Sequence, residues 1–125
     1  MKYIKKYYII ESKYPEEFEG LENKLEMVES YFREIFPLAN DKDFEELDYY
    51  ILHNDDFSSI ISAGIEFYFN SINNDVINIF YNFLYNHKLE VKDIEISSKC
   101  YVVEMSYSQI KKYASLYDSV KKYNL

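Results

Sequence analysis

Residues 15–37, PEEFEGLENKLEMVESYFREIFP, contain the clearest periodic pattern in the chain. Apolar side chains recur in it at spacings of three and four residues, which places them on one face of an α-helix: Phe18, Leu21, Leu25, Val28, Phe32 and Ile35. Pro15 suits a first helical turn, and Pro37 suits a position just beyond the last one. The stretch therefore predicts an amphipathic helix that begins near Pro15, includes Gly20 and buries one apolar face.

Glutamates form a second stripe on the same predicted helix, at Glu19, Glu22, Glu26 and Glu29. Like charges four residues apart mildly destabilise a helix, so helix stability does not explain this stripe. Two explanations remain open. The glutamates form a solvated face that keeps the protein soluble, or they form a row of carboxylates that binds a cationic groove on a partner.

The negative charge of the chain is concentrated in one segment. The whole chain has a net charge of −8, yet residues 14–56 contain fourteen acidic and three basic residues, a local net charge of −11. A segregated charge of this kind attracts a basic partner and repels nucleic-acid phosphates and anionic membranes. We expect the partner-binding surface to consist of carboxylates from this segment: Glu19, Glu22, Glu26, Glu29, Asp41, Asp43, Glu45, Glu46, Asp48, Asp55 and Asp56.

Length and composition predict one domain over residues 1–125. Apolar residues make up 48% of the chain and aromatic residues 19%, which excludes a disordered polypeptide. The first residues lack the apolar core of a signal peptide, and no apolar run approaches the roughly 20 residues of a membrane-spanning helix. We therefore expect a cytoplasmic protein that binds neither nucleic acid nor membranes.

The first half of the chain gives mixed signals for secondary structure. Residues 3–11 are rich in β-branched and aromatic residues and predict a strand. Residues 44–53 fit either a short helix or a strand. Residues 58–72 predict a helix that Asp56 would cap, although residues 65–69 (IEFYF) alternate as a strand does.

The second half is easier to interpret. Residues 76–87 predict a helix that is apolar around most of its circumference and therefore central, with Asn73 to Asp75 as its N-terminal cap. Residues 91–96 and 100–105 predict an antiparallel hairpin. Ser106 and Gln109 form a capping-box pattern that opens a last helix, ending near Tyr123. The whole pattern predicts an α+β fold with a small, mostly antiparallel sheet packed with about four helices.

No sequence motif indicates catalysis, a cofactor or a metal. Gly20 and Gly64 are isolated, which excludes phosphate-binding glycine loops, and a single cysteine with two distant histidines cannot form a structural zinc site. Cys100 lies in a predicted apolar strand, where a buried unreactive thiol is expected. Residues 53–56 (HNDD) could hold a divalent ion or move a proton, but they are equally typical of a turn.

These observations favour a non-enzymatic inhibitor whose acidic surface masks a basic active site or nucleic-acid groove of its partner. Bacterial toxin-immunity proteins and phage-encoded inhibitors of host defence, such as anti-CRISPR proteins, have similar size and charge. The partner would then be a basic protein such as a nuclease toxin or a nucleic-acid-guided defence effector. One alternative is a small enzyme or ligand-binding domain whose pocket is lined by some of the fifteen tyrosines. Another is a structural subunit whose acidic face sets its assembly.

Overall fold

The computed structural model describes residues 20–53, 60–95 and 99–123. In these ranges the chain forms three helices and four strands, in the order α1 (Leu21–Ile35), β1 (Phe44–His53), β2 (Ile60–Phe69), α2 (Asn74–Asn86), β3 (Glu90–Glu95), β4 (Cys100–Glu104) and α3 (Tyr107–Tyr123). The strands form one antiparallel sheet in the order β1-β2-β4-β3. The α+β prediction is confirmed. The expected strand at residues 3–11 lies outside the described residues.

The prediction of about four helices is wrong for the described residues, because residues 60–69 form strand β2 and not a helix. β2 pairs with β1 on one side and β4 on the other, and residues 62–67 are all buried. A strand that is buried on both faces lacks the apolar–polar alternation by which a half-exposed strand is recognised. Its apolar residues consequently fitted the spacing of a helix as well as that of a strand.

Residues 44–53, which fitted either element, form strand β1. The pairing of β1 with β2 shifts register between Phe44 and Glu46, which marks a β-bulge or similar irregularity. Phe44 and Leu47 are both buried in the main core although they are three positions apart, an odd spacing for one face of a strand. An extra residue in a strand changes an even spacing into an odd one, and this explains why β1 resembled a helix in sequence.

Helix α1 confirms the predicted apolar stripe from Leu21 to Ile35, while Phe18 lies outside the described residues. Leu21, Leu25, Val28 and Phe32 are buried, and Ile35 is half-buried against the same core. The predicted start of the helix is corrected at Gly20, which precedes α1 and has a left-handed backbone with φ of 74°. Glycine tolerates this conformation better than other residues, so Gly20 marks the entry to α1 and does not interrupt it.

Helix α2 was expected to be central, but it is buried on one face only, at Val76, Phe80, Phe83 and Leu84. The side chain of Asn73 accepts a hydrogen bond from the backbone N–H of Val76 at 3.0 Å, which confirms the predicted cap. Aromatic rings join this face to the rest of the core. The ring centre of Phe80 lies 5.0 Å from that of Phe67 on β2, and Phe83 contacts Phe32 of α1 edge-on at 5.7 Å.

The hairpin of β3 and β4 and the capping box of α3 are confirmed. The backbone N–H of Ser106 donates to the Gln109 side chain at 2.8 Å, and the N–H of Gln109 donates to the Ser106 hydroxyl at 3.2 Å. Cys100 is buried in β4, as expected. None of the helices in the described ranges is both long and apolar enough to span a bilayer.

Candidate partner-binding surface

Carboxylates from helix α1 and strand β1 meet around the side chain of Tyr49. This tyrosine is 1% exposed, and its hydroxyl donates a long hydrogen bond of 3.5 Å to Oε1 of Glu26. Burial raises the pKa of Tyr49 far above its ordinary value, and the negative charges of Glu22, Glu26, Glu29 and Asp48 raise it further. Three glutamates of the stripe and Asp48 of β1, separate in sequence, therefore share one region of the fold.

Arg33 joins the stripe to the sheet. Its guanidinium forms an ion pair with Glu29, one helical turn earlier, and donates a hydrogen bond to the backbone carbonyl of Leu47 at 3.2 Å. Glu29 is only 8% exposed. We expected all four glutamates of the stripe to be exposed to a partner, and this does not hold for Glu29. Through its ion pair with Arg33, Glu29 helps hold α1 against β1.

Two of the predicted binding residues stabilise the connection before β1. The carboxylate of Asp41 accepts a hydrogen bond from the backbone N–H of Asp43 at 2.9 Å. The carboxylate of Asp43 accepts hydrogen bonds from the Ser71 hydroxyl at 2.5 Å and the Asn73 side-chain amide at 3.4 Å. Asp43 thus links this loop to the segment between β2 and α2. These contacts within the chain account for an acidic residue at this position, and no binding partner is needed to explain it.

The remaining acids are accessible to a partner. Glu26, Glu45 and Glu46 are exposed, while Glu22 and Asp48 are half-buried. The carboxylate of Asp48 also accepts a hydrogen bond from the backbone N–H of Tyr49 at 2.8 Å. We call these five residues the acidic surface. Three further predicted residues lie outside the described ranges: Glu19, Asp55 and Asp56.

Sequence reasoning missed the two residues that organise this region, Arg33 and Tyr49. The spacing of Glu29 and Arg33, four residues apart, could have indicated an ion pair. Tyr49 alternates with the buried Leu47 and Ile51, and this alternation could have placed it on the core side of a strand. Neither signal could show that α1 lies against β1, which depends on tertiary packing.

The described structure gives no support to a site centred on a histidine. His53 is buried, and burial lowers its pKa, while residues 54–56 lie outside the described ranges. Burial also lowers the pKa of His87, and the charge of Lys112 adds to this effect. The Tyr113 hydroxyl lies 3.3 Å from Nδ1 of His87 and donates to its backbone carbonyl at 3.2 Å, so His87 connects α2 to α3. Among residues 20–53, 60–95 and 99–123, no group of three His, Cys, Asp or Glu could hold a metal ion.

An open groove runs beside the C-terminal half of α2. Its cavity volume is about 890 Å³, and its lining combines apolar, polar and basic side chains: Tyr81, Asn82, Leu84, Tyr85, Lys88, Leu89 and Val91. Tyr85 is 82% exposed. Among the residues that the structure describes, four other tyrosines are buried and belong to the cores on the two faces of the sheet: Tyr49, Tyr50, Tyr101 and Tyr113.

Comparison with protein-family models, curated proteins and solved structures gives no match to this chain.

Proposed function

We propose that this protein is a non-enzymatic inhibitor that binds a basic partner through the acidic surface and masks the partner's active site or nucleic-acid groove. The observation that carries the proposal is that glutamates of α1 and Asp48 of β1 surround the buried Tyr49, whose hydroxyl donates to Glu26. Packing of α1 against β1 holds together acids that are more than twenty residues apart in sequence.

Electrostatics explains why such a surface suits a cationic partner. Residues 20–53 contain nine acidic and three basic side chains, and one of these bases, Arg33, already pairs with Glu29. Like charges held close together repel one another, and a cationic partner relieves that repulsion on binding. The summed negative field also raises the association rate with a basic protein at low salt.

A nuclease is the partner class that this chemistry fits best. Proteins that bind nucleic acid neutralise its phosphates with lysine and arginine, so their grooves carry the opposite charge to the acidic surface. A small acidic protein can occupy such a groove and exclude the nucleic acid. Toxin immunity and the inhibition of a nucleic-acid-guided defence effector are two biological forms of this activity.

A matched pair of variants tests the proposal. Glu26→Lys/Glu46→Lys reverses two charges on the acidic surface, and Asp75→Lys/Asp118→Lys makes the same change in net charge at exposed positions of α2 and α3. Each immobilised protein is incubated with lysate from its host, and bound proteins are eluted with salt. We expect the wild type and the control to retain a basic nuclease that the acidic-surface variant loses. The association rate of the acidic-surface variant with that nuclease should be at least about tenfold lower than that of the wild type.

Inhibition is then measured on the retained nuclease. An equimolar amount of wild-type protein should block cleavage of its nucleic-acid substrate, and the acidic-surface variant should not. Circular dichroism establishes that both variants fold. Equal retention and equal salt dependence for the two variants would show that the acidic surface is only solvated, and the inhibitor proposal would fail.

The groove beside α2 supports a second candidate, a ligand-binding domain. It has a concave shape, two tyrosine rings and one lysine, a combination typical of sites for small molecules. Tyr85→Ala separates the two candidates, because it removes an exposed wall of the groove and leaves the acidic surface unchanged. Unchanged nuclease binding in this variant would favour the acidic surface as the site of inhibition. Loss of nuclease binding would show that the acidic surface alone does not account for it.

A further inference from the structure

The outer face of α2 has an unusual composition. Asn74, Asn78, Asn82 and Asn86 recur at every fourth position, and all four are exposed. Between Val76 and His87 there is no acidic or basic residue. Among the described residues six large apolar side chains are exposed, and four of them belong to α2 or lie just before it: Ile72, Ile79, Tyr81 and Tyr85.

Neither helix stability nor solubility explains this face. Asparagine is a poorer helix former than lysine or glutamate, and lysine or glutamate would also hydrate the surface better. Charged residues make up 29% of the whole chain, whereas Asp75 in the first turn is the one charged residue of α2, and this sets the face apart. Low charge combined with exposed aromatic rings is the composition found at the centres of protein interfaces.

We propose that the outer face of α2 binds the same face of a second copy of this chain, forming an antiparallel, two-fold symmetric dimer. In such a dimer each surface meets an identical surface, so any charge near the axis faces its own copy. Two copies of a chain with net charge −8 repel each other in most relative orientations. The repulsion is smallest where the facing surfaces carry little charge. The acidic surface, by contrast, is unsuited to self-association.

The asparagine side chain suits this arrangement because its amide both donates and accepts hydrogen bonds. A row of asparagines can therefore pair with an identical row, which a row of lysines or glutamates cannot do. Antiparallel packing about the middle of α2 places Asn78 opposite Asn82 of the second copy, and Asn74 opposite Asn86. Tyr81 and Tyr85, which line one side of the groove, extend the contact beyond the asparagine row.

The size of the face indicates a weak dimer. A helix of this length extends about 20 Å, so the contact is small compared with that of a permanent dimer. We therefore expect association that depends on protein concentration, with a Kd on the order of 10–100 μM. Sedimentation equilibrium of the full chain should show the mass rising from 15.1 kDa toward twice that value as concentration increases.

Three variants test the surface and its register. Asn78→Lys/Asn82→Lys places lysines opposite lysines and should weaken the dimer at least about a hundredfold. Asn78→Lys/Asn82→Glu places lysine opposite glutamate in the antiparallel register and should preserve it. Asn23→Lys/Ser115→Lys introduces the same charge as the first variant at exposed positions on α1 and α3 and should also preserve it.

Thermal denaturation followed by circular dichroism shows whether each variant folds. A wild-type protein that stays at 15.1 kDa up to about tenfold above the expected Kd would overturn the proposal. It would equally be overturned if the double-lysine variant dimerised as well as the wild type, because the contact would then lie elsewhere. Loss of the dimer in both the double-lysine and the lysine–glutamate variants, with the control unaffected, would exclude the antiparallel register.

Discussion

Helices α1 and α2 are alike where they are buried and different where they are exposed. Each contributes an apolar face to the same core, and their inner faces touch through Phe32 and Phe83. The outer side of α1 carries glutamates, whereas that of α2 carries asparagine, isoleucine and tyrosine, with a single charge at Asp75 in its first turn. Packing requirements thus determine the inner faces, and the outer faces are free to differ. We assign different binding roles to the two helices for this reason.

The largest effect should come from substitutions that test the likeness of the two inner faces. Leu25→Ala in α1 should lower the free energy of unfolding by about 2–5 kcal/mol, and Phe80→Ala in α2 by about 3–5 kcal/mol, because each leaves a cavity at a fully buried position. Urea denaturation measures both values. If either substitution lowered stability by less than about 1 kcal/mol, that helix would not be part of the common core.

An intermediate effect should distinguish the members of the glutamate stripe. Arg33→Ala removes the ion pair with Glu29 and the hydrogen bond to Leu47, and we expect it to lower the free energy of unfolding by about 1–3 kcal/mol. Glu26→Ala, at an exposed position, removes only the long hydrogen bond from Tyr49 and should lower it by less than about 1 kcal/mol. Adding Glu29→Gln to Arg33→Ala should restore part of the loss, because it removes the charge of a buried carboxylate that has lost its ion pair with Arg33. No restoration would mean that Arg33 stabilises the fold mainly through Leu47.

The smallest effect concerns the asparagine row of α2. Asn78→Ala should raise the free energy of unfolding of the monomer by about 0.5 kcal/mol, since alanine is the better helix former at an exposed position. The measurement belongs at low protein concentration, where a weak dimer is dissociated. A destabilised variant would show that the Asn78 amide makes a contact within its own chain. Asn78 would then have a structural role, and the difference in role that we assign to the outer faces of α1 and α2 would lose support.

Sequence predicted those elements whose signals are local. The stripe of α1, the Asn73 cap of α2 and the capping box of α3 each depend on residues within about one helical turn or on a simple period. β1 and β2 were harder because their patterns depend on tertiary structure. A register shift changes the spacing in β1, and burial on both faces leaves β2 with an alternating pattern only over residues 65–69.

The candidate surface was predictable in composition but not in geometry. The excess of acids in residues 14–56 is visible in the sequence, and so is the four-residue spacing of Glu29 and Arg33. The sequence does not show, however, that Glu29 is buried while Glu26 stays exposed. Asp43 shows the same difficulty, because its partners Ser71 and Asn73 are about thirty residues away. Which carboxylates remain accessible is decided by contacts between distant segments.

The side chains beside β1 also affect how this protein behaves when concentrated. The Arg33 guanidinium donates a hydrogen bond to the backbone carbonyl of Leu47, and the Asp48 carboxylate accepts one from the backbone N–H of Tyr49. A strand from another molecule that attempted to extend the sheet at these two positions would first have to displace both side chains and then face the neighbouring glutamates. Strand addition of this kind is a common route to aggregation. The acids that we propose to attract a partner therefore also protect the chain against disordered assembly with itself.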